Sequence, residues 1–310
     1  TTTQTSAAFT FAEFNPSDRI DIDAGARVEH VKIDGTPASD QFTSLDFTPV
    51  SASAGLLFDV NKTVRIGLTL SSAARAPAQT ELFARGPHDG PGTFETGDPG
   101  LKVERANSIE GSLRLRFDAA RVDTSVWGTR FSNYIYGQLT GRTCDSDGNC
   151  VSNDSLDLKE LNYTQVGAKF WGAETKATIP LLQQGDGKLE GTVLADYVRA
   201  KTVDGDNLPR ISPYHLGAGV QWNGDVIGAG LLAKYTGART DVAVAETPTS
   251  GFMSVDANLA WHVLPGTPGL ELSLVAHNLT NSTQRNAVAL NKDDVIMPGR
   301  DVRLMVRATF

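Results

Sequence analysis

The sequence predicts an all-β protein, a transmembrane antiparallel up-and-down β-barrel, and three observations carry that prediction. Apolar and polar residues alternate with a period of two along many segments of the 310-residue chain. The connections between those segments come in two lengths that take turns along the sequence. No stretch approaches the roughly 18 uncharged apolar residues that a membrane-spanning helix needs, and the nearest candidate, 226–233, is broken by Gly228 and Gly230. A barrel hides its hydrophobicity in alternate residues of strands about ten residues long, so its composition reads as polar.

Taken in chain order, a first strand runs over about 4–14 and a long second one over 19–33. Val64, Ile66, Leu68 and Leu70 then alternate with Arg65, Gly67 and Thr69. Ile109, Leu113, Leu115 and Phe117 alternate with Glu110, Ser112, Arg114 and Arg116. From 121 to 136 the phase slips between Val126 and Trp127, where a bulge would account for it. Another long strand covers 160–179. Alternation returns at Leu216, Ala218, Val220 and Trp222, and again at Val255, Ala257, Leu259, Trp261 and Val263. It closes with Leu270, Leu272, Leu274 and Ala276, then Val302, Leu304, Val306, Ala308 and Phe310. A side-chain period of two places each apolar set on one face of its strand.

Tight-turn chemistry marks the short connections: Asn15-Pro16-Ser17-Asp18, Val60-Asn61-Lys62, Asp118-Ala119-Ala120, Gln184-Gly185-Asp186, Asn223-Gly224-Asp225 and Pro265-Gly266-Thr267-Pro268. The long ones cover 34–47, 76–102, 141–159, 203–212, 241–252 and 282–299. A soluble sandwich has no reason to gather every long loop at one end. Outer-membrane barrels do so, with short periplasmic turns and long extracellular loops. The count comes to about 13 strands, and a single-chain bacterial barrel closes on an even number. Open edges cannot stand in lipid, so the chain is expected to be the C-terminal part of a larger barrel, beginning within an extracellular loop.

The formal net charge of −8, with no basic run, argues against a nucleic-acid partner. The only cysteines, Cys144 and Cys150, flank Asp-Ser-Asp-Gly-Asn and read as one local disulfide in an oxidising compartment. Asp145-Ser146-Asp147-Gly148-Asn149 resembles the opening of a calcium loop, but the twelfth position is Leu156 and not the required Glu. No nucleophile elbow, phosphate loop or His-Glu-x-x-His helix is present, so the chain is not expected to be an enzyme. Asp21, Asp23, Glu110 and Asp256 fall in the polar phase, where they would pair with Arg65, Arg114, Arg116, Arg303 and Arg307 across a hydrated interior. His215, His262 and His277 share that phase, and His262 and His277 would approach one another across the Pro265 turn. Trp127, Tyr134, Tyr136, Trp171, Trp222 and Trp261 suit interfacial girdles.

Further residues carry a resemblance. Leu279-Thr280-Asn281 after a strand, then Met297-Pro298-Gly299-Arg300 opening a strand that ends in Phe310, resembles the C-terminus of TonB-dependent receptors. Arg75-Ala76-Pro77, Glu81-Leu82-Phe83-Ala84 and 97–104 (Gly-Asp-Pro-Gly-Leu-Lys-Val-Glu) resemble another stretch of that family, with Asp98 and Val103 replacing the commoner Asn and Pro. The resemblance implies a roughly 22-stranded plugged barrel in the outer membrane of a Gram-negative bacterium, among lipid and lipopolysaccharide. The plug, its TonB box and the earlier strands would lie outside this chain, and the TonB–ExbB–ExbD complex would energise import.

Gly86-Pro87-His88 with Gly92-Thr93-Phe94-Glu95 is most similar to the zinc-uptake branch of that family. His88, Asp89 and Glu95 offer the donor types zinc takes. Two adjacent ligands and one six residues on do not complete a tetrahedral set, so the resemblance implies a site shared with the plug. The plain alternative is a solvated loop. No cofactor is required, and bound zinc would be cargo. The expected function is TonB-dependent import of zinc or another metal. The alternatives are import of a siderophore, vitamin or other organic ligand, or a non-energised adhesin or porin-like barrel.

Overall fold

In a computed structural model, which describes residues 1–153, 155–264 and 269–310, the chain is one antiparallel meander with its short turns at one end and long loops at the other. β1 (Thr2–Ser17) pairs with β2 (Ile20–Gly35). β3 (Thr43–Phe47) and β4 (Val50–Asp59) both pair with β2 and form one stave, interrupted at Thr48 and Pro49. β5 (Val64–Arg75) follows. Its long loop holds the helix α1 (Gln79–Phe83) and the hairpin β6 (Arg85–His88) and β7 (Thr93–Thr96). The meander resumes with β8 (Glu104–Phe117) and β9 (Ala120–Cys144), whose tip pairs with the two-residue β10 (Cys150–Val151). It continues through β11 (Leu158–Gln184), β12 (Gly187–Thr202), β13 (His215–Asn223), β14 (Ile227–Thr236), β15 (Phe252–Leu264), β16 (Gly269–His277) and β17 (Asp301–Thr309). Counting β3 with β4 and setting aside the loop strands β6, β7 and β10, the staves among the described residues number thirteen.

The alternation sorts the two faces as expected. Ile66, Leu68, Leu70, Ile109, Leu216, Leu259, Leu274 and Val306 stand exposed on one face, a surface suited to lipid. The loop between β5 and β8 packs on the other face, over Val31 and Ile33 of β2, which identifies the inner side. The same inner phase carries Asp21, Asp23 and Arg27 on β2, and Arg65, Arg114 and Asp123 on the facing strands. Among the described residues β1 pairs only with β2 and β17 only with β16, so both outermost edges present free ladder groups. Such groups each cost several kcal/mol in hydrocarbon unless another strand satisfies them.

The structure corrects several expectations about individual residues. The ladder shows no irregularity at Val126–Trp127: Trp127 faces inward, its ring lying where a side chain on Gly172 would stand. The break instead falls between Phe131 and Tyr134, where Asn133 adopts φ 58° and donates to the Val103 carbonyl at 3.2 Å. Tyr134 and Tyr136 are not girdle residues; they stack with each other, and Tyr134 also meets Phe131 and Phe170, in an inner cluster. His262 and His277 do not meet, because β16 places Glu271 opposite His262 and carries His277 six residues further along. The Pro265–Pro268 turn between them lies outside the described residues. Trp171 and Trp261 do stand on the outer face, about half exposed.

Candidate functional site

The 76–103 loop is held by an arginine clamp. Arg75, the last residue of β5, donates to both Glu81 oxygens at 2.8 and 3.0 Å and to both Glu104 oxygens at 2.9 and 3.2 Å. Glu81 also accepts from the Ala78 backbone N–H at 2.7 Å, fixing the start of α1, and Glu104 accepts from the Ile135 N–H at 2.7 Å. One guanidinium therefore ties the departure and the return of the loop to the barrel wall. α1 presses Leu82 and Phe83 onto Val31, Ile33, Leu101 and Ile135. That close approach needs Gly35, where an added Cβ would lie 2.6 Å from the Phe83 ring.

From this anchor the β6–β7 hairpin crosses the inner side and adds β7 in parallel to β11, with Glu95 opposite Leu161. Glu95 is buried and fully engaged. Its Oε1 meets His88 Nδ1 at 2.9 Å and accepts from Thr93 Oγ1 at 3.0 Å, and its Oε2 accepts from Tyr163 Oη at 3.1 Å. Burial and the adjacent Glu95 carboxylate push the Tyr163 phenol up to about 12, so it stays a donor. Tyr163 lies eight residues beyond Trp171 on β11, about 26 Å along the strand at the usual rise, clear of the lipid-facing segment. The His88 side chain remains largely exposed, at 63%. With Nδ1 on Glu95, Nε2 is the ring nitrogen left for a ligand.

Asp89 is not brought into this group. It sits exposed at the hairpin turn, where Gly92 N–H donates to the carbonyls of His88 and Asp89. Among the described residues the one set of three His, Cys, Asp or Glu donors lying mutually close is Cys144, Cys150 and Glu160. Its sulfurs are joined in a disulfide, which leaves no thiolate for a metal. That bridge closes the β9–β10 tip, whose Asp145 carboxylate accepts from the Asp147 and Asn149 N–H groups and the Asn149 amide at 2.8 to 3.0 Å. The loop thus engages the Asp145 oxygens, the first of that calcium-like sequence, in its own turn. The tip rests on β7: Gly148, at φ +87°, lies where a Cβ would meet the Phe94 ring at 2.8 Å.

Residues 1–279 match the family described as TonB dependent receptor-like, beta-barrel. The chain belongs to the TonB-dependent receptor β-barrel family. Among solved structures it resembles the copper transporter OprC, with a TM-score of 0.79, 18% identity and coverage of 99% of this chain and 48% of that one. A mutant of the ferric enterobactin receptor PfeA from Pseudomonas aeruginosa follows at TM-score 0.71 and 17% identity, over 99% of this chain and 45% of that one. The FrpB iron transporter from Neisseria meningitidis gives 0.69 and 16%, over 98% and 45%. At these identities the likeness is one of fold, and the chain spans about half the length of the structures it resembles.

In this receptor barrel the inner face is the lumen wall and the long loops form its outer mouth. All five histidines face a carboxylate: His30 with Asp46, His88 with Glu95, His215 with Asp196, His262 with Glu271 and His277 with Asp256. Of the expected arginine pairs Arg65–Asp21 forms, and Arg303 takes a different carboxylate. Arg65 reaches Asp59 and Asp21, and Arg303 reaches Asp301, whereas Arg114, Arg116 and Arg307 join no ion pair among the described residues. At the mouth the β12–β13, β14–β15 and β16–β17 loops are knitted together. Glu246 accepts from the Arg210 and Ala243 N–H groups at 3.0 Å and pairs with Lys292 at 3.3 Å, both side chains more than nine-tenths buried. Asn291 in the last loop donates to the Gly90 carbonyl at 2.9 Å, two residues from His88. A cavity of about 280 Å³ opens among these loops, lined by Tyr136, Lys159, Asp206, Arg210, Val244 and Lys292 among others.

Proposed function

We propose that this chain is the C-terminal portion of an outer-membrane TonB-dependent importer, with a metal ion, zinc or another, as its cargo. The plug and the earlier strands would be supplied by further polypeptide. The observation that carries the reading is the inward hairpin presenting His88 at the lumen mouth on a buried Glu95. A histidine whose second nitrogen is held by a carboxylate is the arrangement that orients imidazole ligands for metals. Glu95 then acts as the orienting partner of His88, itself held by Thr93 and Tyr163. One imidazole is an incomplete site for zinc, which takes about four ligands. The plug or the cargo's own waters would complete it, and Asp89 would be a turn residue beside it.

The test is the metal content of the purified intact receptor by inductively coupled plasma mass spectrometry, after equilibration with zinc or copper. Near-stoichiometric metal that His88→Ala abolishes supports the proposal; metal at background in wild type rejects it. A second reading, import of an organic or chelated ligand, is favoured by the cavity among the outer loops. That cavity combines apolar wall residues such as Val244 and Leu290 with Lys159 and Arg210. Retention of a ferric chelate by the wild-type receptor, weakened by Arg210→Ala and unaffected by His88→Ala, would favour it over free metal.

A further inference from the structure

The lumen wall near the short-turn end carries a cluster of cations that the chain itself leaves incompletely neutralised. Arg65 of β5 stands directly opposite Arg114 of β8, and Arg116 of β8 directly opposite Arg121 of β9. Like charges in facing positions destabilise a sheet, and guanidinium does not shed its proton. Asp59 and Asp21 are occupied by Arg65. Asp123 stands across from Arg114 without closing an ion pair, and Asp118 sits in the adjoining turn. Arg114, Arg116 and Arg121 are exposed and join no ion pair among the described residues. A cavity of about 160 Å³ beside the β4–β5 turn gathers Lys62, Arg65, Arg114 and Arg116 around the single carboxylate of Asp59.

We infer that this patch docks an acidic stretch of the polypeptide that fills the lumen. The inference rests on the reading that further receptor polypeptide occupies the barrel. Charge complementarity selects the partner. The cations spread over three neighbouring strands, about 10 Å across at the usual strand spacing, which suits several carboxylates better than one small oxyanion. Their place on the inner face keeps them from bilayer phosphates. Docked carboxylates would relieve the Arg65–Arg114 and Arg116–Arg121 repulsions and fix the register of the lumenal body against β5, β8 and β9.

The test uses the intact receptor in outer membranes with the photocrosslinker benzoylphenylalanine replacing Ser112, an uncharged inner-face neighbour of Arg114. In the otherwise wild-type receptor the probe is expected to capture a segment carrying at least two Asp or Glu. The double reversal Arg114→Glu, Arg116→Glu should lower that yield about tenfold, and converting the captured acids to Lys should restore it. Heat-modifiable migration on gels confirms that each variant still forms a barrel. Capture of a segment without acidic residues, capture of lipid, or a yield unchanged by reversal would overturn the patch assignment. A second probe at Ser273, on the inner phase of β16 away from the patch, separates the two claims: polypeptide captured there with none at Ser112 rejects the patch alone, and none at either rejects the filled lumen and its partner together.

Discussion

At His88 the proposed metal binding depends on a neighbour that is hidden from solvent. Pairing with a carboxylate does not by itself mark a ligand, since all five histidines have such a partner. What separates His88 is that its partner is buried and gripped by two hydroxyls, so the ring is aimed. Glu95→Gln should leave the ring in place and weaken metal binding about 10- to 100-fold, measured by titration calorimetry on the intact receptor; unchanged affinity would remove Glu95 from the site. Tyr163 offers a pH test. Its pKa is raised in the fold, so its contribution is complete below the ordinary tyrosine value and fades as pH climbs from about 10 towards 12. The ultraviolet difference spectrum between wild type and Tyr163→Phe should therefore show a phenolate emerging near pH 12, and one emerging near 10 would contradict the buried hydrogen bond. His88, Asp89 and Glu95 were legible as donor types, but not that Asp89 would stand apart. Sequence spacing does not say which side of a hairpin a turn residue takes. Tyr163 had no signal either, because β7 meets β11 in parallel across 68 residues of chain.

The elements explain why the loop motif reads as it does. Arg75, Glu81 and Glu104 belong in sequence to the stretch that resembles the receptor family, and the fold uses them as a clamp. Gly97 belongs to the same device: an added Cβ would fall 2.5 to 2.7 Å from the backbone of Leu82 and Phe83. Gly97→Ala should dislodge α1 at a cost of about 1–3 kcal/mol, seen as faster proteolysis within 76–103 on intact cells; an unchanged digest would show that the loop yields. The buried Glu246–Lys292 pair makes a comparable prediction for the outer loops. Lys292→Met strands a buried carboxylate, costing about 3–5 kcal/mol, and should speed hydrogen exchange over 282–299. Glu246→Gln added to Lys292→Met should recover much of that loss, because no charge is left buried. Strand phase foretold which arginines and histidines face inward, since a period of two fixes the face. It did not foretell their partners, which depend on register between strands.

Across the whole molecule the alternation of long loops and short turns specified the meander, its thirteen staves and its inner face. The bulge was misplaced because Trp127 looks like a lipid-facing residue and instead covers Gly172. The free edges of β1 and β17 carry a whole-molecule prediction. Expressed alone, the chain should not give a heat-modifiable barrel, and co-expression with the further receptor polypeptide proposed above should; a stable barrel from this chain alone would show that the two edges find each other. The central claim, energised uptake of metal past His88, is tested most directly by accumulation of radioactive zinc in metal-starved cells carrying the intact receptor. Accumulation should collapse when the proton gradient is dissipated and fall at least about tenfold, the scale of losing a ligand or its orienting partner, in the His88→Ala, Glu95→Gln variant at equal membrane levels. Equal accumulation by that variant, or uptake indifferent to the gradient, would contradict the account.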